Sequence, residues 1–100
     1  MRMIPLTGAI AVSSLLLVGC DPNQYTPQTG ASAADIFAEA CAGCHGDGGE
    51  GIIIGWLKVK GTDKTENEVI AKIAAGSTFM PAFPNIGNIE QSALAQYLKQ

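Results

Sequence analysis

The chain has 100 residues, a net charge of −3, and 47% apolar against 15% charged residues, which allows one small domain. Ile, Leu, Val and Phe are too plentiful for a disordered chain, and a single long apolar run excludes a multi-pass membrane protein. Beyond Cys20 five lysines face nine acids, a net −4, the wrong sign for phosphate contacts and so for nucleic-acid binding.

The apolar excess is local, since no residue between Met3 and Cys20 is charged. Met1-Arg2-Met3 is a short positive start, Ile4 to Val18 is apolar, and Leu17-Val18-Gly19-Cys20 ends the run with small residues. This is the layout of a secretory signal segment. Its ending resembles the lipobox of bacterial lipoproteins. That resemblance implies a signal peptide over residues 1–19 and a lipidated Cys20 as the first mature residue. It also implies a domain anchored by lipid to a membrane on its periplasmic or other extracytoplasmic face. Two other readings stand beside it. The run is near the minimum length for an uncleaved anchor helix, although Pro5 and Gly8 weaken a span. Ordinary cleavage would instead leave Cys20 as a free thiol. All three readings put the domain on the same non-cytoplasmic side. Lipidation also accounts for an odd cysteine, there being three in the chain.

Residues 20–31 read as a tether and linker. Pro22 and Pro27 stand among Asn, Gln and Thr, with Tyr25 the one large apolar side chain. Such a segment is expected to be extended, at about 3 Å per residue and so about 30 Å in reach. The folded domain then occupies residues 32–100. At that size an apolar core alone is marginal, and small domains usually add a staple.

Three helices are expected in the domain. Ser32-Ala33-Ala34-Asp35 reads as a capping box, after which Ile36, Phe37, Ala40, Cys41 and Cys44 fall on one helical face. Cys41-Ala42-Gly43-Cys44-His45 follows, a Cys-x-x-Cys-His motif of the kind that attaches c-type haem. Two cysteines three apart at a helix end point the same way, so their thiols can add to the two vinyl groups along one edge of a haem. His45 is four residues past Cys41, so its imidazole can reach the iron of that haem. Gly46, Gly48 and Gly49 let the chain turn away. A redox dithiol would instead follow a strand, and a structural zinc site needs four ligands where this cluster offers three. Ile52-Ile53-Ile54 is strand-like but too short to build a sheet.

The second helix starts at Thr65-Glu66-Asn67-Glu68, another capping box, with Val69, Ile70, Ile73 and Ala74 as its buried stripe and Gly76 as its stop. Met80 follows in Phe79-Met80-Pro81-Ala82-Phe83-Pro84. With His45 the only histidine, and Met1 and Met3 in the leader, Met80 is the remaining thioether for the sixth position of iron. His/Met ligation is a standard haem arrangement; the competing role is a core gap-filler. Asn88 with Gln91 is expected to start the third helix. Its inner face is Leu94, Tyr97 and Leu98, and Lys99 suits the negative end of its dipole.

Residues 32–100 resemble a small class I monohaem cytochrome c of the bacterial type. The resemblance rests on the helix entering the Cys41–His45 motif, the Gly-rich turn, a helix before a Met-Pro loop, and a final helix ending Leu94-Ala95-Gln96-Tyr97-Leu98. It implies an all-α fold of three or more helices around one covalently attached haem c, with the first and last helices crossing. One departure stands out. Many members of that family carry a Gly-Pro pair after the motif, whose proline carbonyl accepts from the proximal histidine. Here the stretch is Gly51-Ile52-Ile53-Ile54-Gly55, and some carbonyl within it is expected to orient His45. For Trp56, donation to a haem propionate and plain packing are equally open. Ile52, Ile53, Ile54, Leu57, Val59, Phe79, Phe83 and Ile86 read as pocket wall or core.

The expected function is electron carriage between redox protein donors and acceptors, with the iron cycling Fe(II)/Fe(III). Cys41 and Cys44 would hold the haem, and His45 and Met80 the iron. The chain is then not an enzyme and has no small-molecule substrate, because both axial positions are filled by protein. Two alternatives are a haem-bearing subunit of a membrane oxidoreductase complex and a gas- or peroxide-reactive haem protein with displaceable Met80.

Overall fold

A computed structural model describes residues 22–100. The expected signal peptide over residues 1–19 and Cys20 lie outside the described residues. The domain is all-α: α1 (Ala33–Ala40), α2 (Ala42–His45), α3 (Glu66–Ala75) and α4 (Asn88–Leu98), with short 3-10 turns at Pro22–Gln24, Asp47–Gly49 and Ile53–Gly55. No strand occurs among the described residues. Of the Ile52–Ile54 run, Ile53 and Ile54 open one of these turns and Ile52 precedes it.

Local chemistry sets the helix starts. The Ser32 hydroxyl accepts from the Asp35 N–H at 3.1 Å and opens α1. Thr65 and Glu68 form a reciprocal capping box on α3, and Gly76 closes that helix with φ +67°. Such caps satisfy donors that a helix start leaves without partners, at about 1 kcal/mol each. The start of α4 differs from expectation. Its N-cap is Gly87, with no side-chain cap. Gln91 is buried instead, its amide donating to the Ile86 carbonyl at 2.9 Å. The helix entering the cysteine motif is also broken. Cys41 is the C-cap of α1, at φ −120° and ψ −34°, while its carbonyl accepts from both Cys44 and His45 to start α2.

Both α1 and α3 pack against α4, as the crossing of first and last helices requires. The core is Ile36, Phe37, Val69, Ile73, Phe83, Ile86, Leu94, Ala95 and Leu98. Burying each of the larger members is worth about 1.5–3 kcal/mol. Phe37 of α1 meets the half-buried Tyr97 of α4 at 5.7 Å between ring centroids. Ala74, expected in the buried stripe of α3, is exposed, and Ile70 is half-buried. The apolar face of α3 is therefore narrower than its pattern suggests. At the end of α4, Lys99 donates its ammonium to the Lys64 carbonyl at 3.0 Å, tying that end to the entry of α3.

Residues 22–30 do not stand off as an extended arm. Tyr25 packs edge-on against the core residue Phe83, with centroids 6.5 Å apart and planes at 83°. Asn85 donates to the Asn23 carbonyl at 3.3 Å. An aromatic pair of this geometry adds about 0.5–1.5 kcal/mol beyond area burial, one contribution to the docking of a segment that the composition alone marked as free.

Candidate functional site

The four candidate side chains come from two places. Cys44 and His45 belong to α2, with Cys41 at its entry; Met80 lies between α3 and α4. Cys41, Ala42 and Met80 all pack against the same buried cluster. Cys41 is half-buried and Cys44 exposed, and no disulfide joins them. Burial first, and the neighbouring Cys44 second, push the Cys41 thiol up to about 11. A redox-active dithiol requires the opposite shift, toward a thiolate at neutral pH. Among the described residues, no three His, Cys, Asp or Glu side chains converge on a metal position, so the motif is not a tetrahedral zinc site.

His45 is held by its backbone and by its ring. Its carbonyl accepts from the Gly51 N–H at 2.7 Å, closing the Gly-rich turn into a loop. Gly46 is required in that loop: its φ is +79°, and a Cβ there would collide with the Gly51 carbonyl. The His45 Nδ1 lies 2.7 Å from the Leu57 carbonyl oxygen. A carbonyl can only accept, so Nδ1 carries the proton and Nε2 keeps its lone pair for a metal. The orienting carbonyl was expected within residues 51–55; it lies two residues further on. Leu57 presents it from a left-handed backbone, φ +64°, and Ile54 is also left-handed, φ 55°. Conformations of this kind cost a β-branched or bulky residue about 1–2 kcal/mol. They persist only where surrounding contacts hold them, commonly at functional sites. Here the Ile52 N–H donates to the Trp56 carbonyl at 2.9 Å, and the Trp56 N–H to Ile53 at 3.0 Å. These bonds fold the segment back on itself and aim the next carbonyl at the ring.

Met80 is framed in a comparable way. Its carbonyl accepts from the Ser77 N–H at 2.8 Å, and the Phe83 N–H returns to the Ile73 carbonyl at 2.9 Å. The loop leaves α3 at Gly76 and is pinned back onto the same helix, with Pro81 and Pro84 limiting its freedom. The thioether is thus offered from a short, closed loop at the edge of the core.

These residues fit a haem. Two thiols sit at the entry and within one turn of α2, an imidazole has its far nitrogen available, and a thioether is held on a separate loop. The flanking loops carry the apolar surface a porphyrin needs to lie against: Ile52, Ile53, Ile54, Trp56, Leu57 and Phe79 are all exposed. Phe83 and Ile86, grouped with them in the sequence, are core residues, and Val59 is half-buried. Trp56 is 64% exposed and stands outside the buried core. The residues missed in the sequence are Leu57, as the partner of His45, and Tyr25, as a contact of the core. Neither carries a local signal. Each depends on a pairing between distant parts of the chain.

Residues 28–98 match the family model described as cytochrome c oxidase, cbb3-type, subunit III. No curated protein matches the chain. Among solved structures, cytochrome c6 from the diatom Phaeodactylum tricornutum is 28% identical with a TM-score of 0.55, over 67% of this chain and 86% of that one. Cytochrome c6C from Synechococcus sp. PCC 7002 is 25% identical with a TM-score of 0.55, over 68% and 90%. The outer membrane cytochrome OmcF from Geobacter sulfurreducens is 24% identical with a TM-score of 0.54, over 68% and 95%, a likeness of fold.

Proposed function

The chain belongs to the cytochrome c family described as cytochrome c oxidase, cbb3-type, subunit III, an electron-carrying cytochrome with one covalent haem c, and from that premise we propose its ligands and its location. Cys41 and Cys44 hold the haem by thioethers. His45, through Nε2, and Met80, through its sulfur, would hold the iron. The iron supplies the one-electron Fe(II)/Fe(III) couple. The protein fixes both ligands, so little reorganises when an electron passes, and the sulfur ligand raises the potential. The carrying observation is the His45–Leu57 contact of 2.7 Å, which sets the tautomer that leaves Nε2 free. Trp56 is assigned to a haem propionate through its indole N–H, in keeping with its exposure.

Residues 1–19 act as a lipoprotein signal peptide, and Cys20 is the acylated first residue of the mature protein. The domain therefore works on the extracytoplasmic side, held to a membrane by its lipid, and passes electrons between redox proteins. Asp35, Glu39, Glu50 and the other acids give it an overall negative surface, which favours encounter with basic partner patches.

The test combines three measurements on native protein. Haem should remain with the polypeptide through acid–acetone extraction, and intact mass should show an acylated chain beginning at Cys20. Met80→Ala should lower the potential and remove the weak sulfur-to-iron band at the red end of the oxidised spectrum. Free haem in the extract would overturn covalent attachment, and an unchanged band in Met80→Ala would overturn the ligand assignment.

A second reading, a haem-bearing subunit of a membrane oxidoreductase, is favoured by the description of the family model. Extraction in mild detergent separates the two readings. A carrier elutes alone, whereas a subunit elutes with the complex and its oxidoreductase activity.

A further inference from the structure

The start of the described chain is fixed to one end of α4. Asn85 holds the Asn23 carbonyl, and Tyr25 is seated on Phe83. Pro22 is two residues from Cys20, and two residues of extended chain span at most about 7 Å. If Cys20 carries the lipid, as proposed above, the bilayer surface must lie within that distance of Pro22. A free arm over residues 20–31 would have allowed about 30 Å and any orientation.

The surface at that point suits a membrane. Residues 81–89 carry no charged side chain, and the one acid in the first turn of α4, Glu90, is half-buried, so laying this stretch on a bilayer desolvates little charge. Pro84, Asn85 and Asn88 are exposed there. Ile89, in the first turn of α4, is 84% exposed and so presents almost its whole side chain to the surroundings. The opposite end of α4 has another character. It lies about 16 Å away, at 1.5 Å per residue, and is tied by Lys99 to Lys64.

We infer that the N-terminal end of α4, with Ile89 at its tip, is the face this domain turns to the lipid bilayer, set there by the docking of residues 22–25. The inference rests on the acylation of Cys20. The domain is then held close to the membrane in one orientation, with the Lys64 end pointing to solvent.

In the acylated holoprotein the thioethers and the lipid occupy all three native cysteines, so one introduced cysteine is the sole free thiol. Ile89→Cys and Lys64→Cys are each spin-labelled and bound to vesicles of phosphatidylethanolamine and phosphatidylglycerol. Accessibility to a water-soluble paramagnetic relaxant is then compared with that of the same protein in detergent-free buffer after removal of the acylated segment. The Ile89 label should lose accessibility several-fold on vesicles and the Lys64 label should not change. Adding Tyr25→Ser, which undocks the segment, should return the Ile89 label to the accessibility of the Lys64 label. Equal accessibility of the two labels on vesicles, or shielding at Lys64 alone, overturns the inference. Intact mass of the vesicle-bound sample separates the causes of a negative result. An acylated chain with equivalent labels defeats the orientation alone, and an unacylated chain defeats the anchor on which it rests.

Discussion

Replacing Gly76 by alanine probes how the chain delivers Met80. Gly76 ends α3 with φ +67° and ψ −164°, a region essentially reserved for glycine, where other residues pay about 1–3 kcal/mol. An added Cβ would also lie 2.5 Å from the Met80 carbonyl oxygen and 2.7 Å from the Ala82 nitrogen. Both obstacles are backbone atoms of the Met80 loop, so the loop has to move. Gly61 serves as the control. It too has a positive φ, +74°, but a Cβ there meets nothing within 4 Å. Gly61→Ala should therefore show backbone strain alone, about 1–2 kcal/mol, which lowers Tm by about 4–8 °C per kcal/mol in a domain of this size. Gly76→Ala should lose at least as much stability and, unlike the control, should weaken the sulfur-to-iron band of the oxidised protein. Thermal unfolding and the red-end absorbance of the two variants, measured side by side, decide it. If Gly76→Ala keeps the full band and matches Gly61→Ala in stability, the loop is not held by Gly76 and the account of Met80 delivery is wrong.

A further outcome follows from local geometry. The Glu68 carboxyl is held below its ordinary value of 4.5 first by the Thr65 backbone N–H, then by the Thr65 hydroxyl, with Lys64 and Lys99 adding. A depressed folded-state pKa stabilises the protein above the unfolded-state value and loses that contribution as pH falls through the folded-state one. Denaturant midpoints taken from neutral pH down through the carboxylate range should fall less steeply in Glu68→Gln than in the native chain, and equal slopes would refute the assignment.

Much of the architecture was legible in the sequence because it is written in short-range chemistry. Ser32 with Asp35, Thr65 with Glu68, and Gly76 each act within one helical turn, and each caps where its residue type implies. The Cys41–His45 motif is local in the same sense, its residue types and spacing being what a haem edge requires. Legibility failed where distant segments decide. The His45 ring bonds a carbonyl twelve residues away, and that carbonyl is aimed by a left-handed leucine, a conformation leucine gives no reason to expect. The first turn of α4 looked like a side-chain cap, but burial against Ile86 claims Gln91 for another role. Residues 22–30 have the composition of a linker. Tyr25 overrides it by finding Phe83, and Asn23 by finding Asn85, 62 residues away. Cys41 was placed on a continuous helix by periodicity, whereas its carbonyl serves the next short helix as well.

The most direct test of an iron closed on both sides by protein is the addition of carbon monoxide to the native ferrous protein at neutral pH. With His45 and Met80 bound, the reduced spectrum should be unchanged by the gas, while Met80→Ala should bind it and shift its Soret band. Ready binding of carbon monoxide by the native protein would contradict the electron-carrier account and favour a haem that reacts with gas or peroxide at the Met80 position.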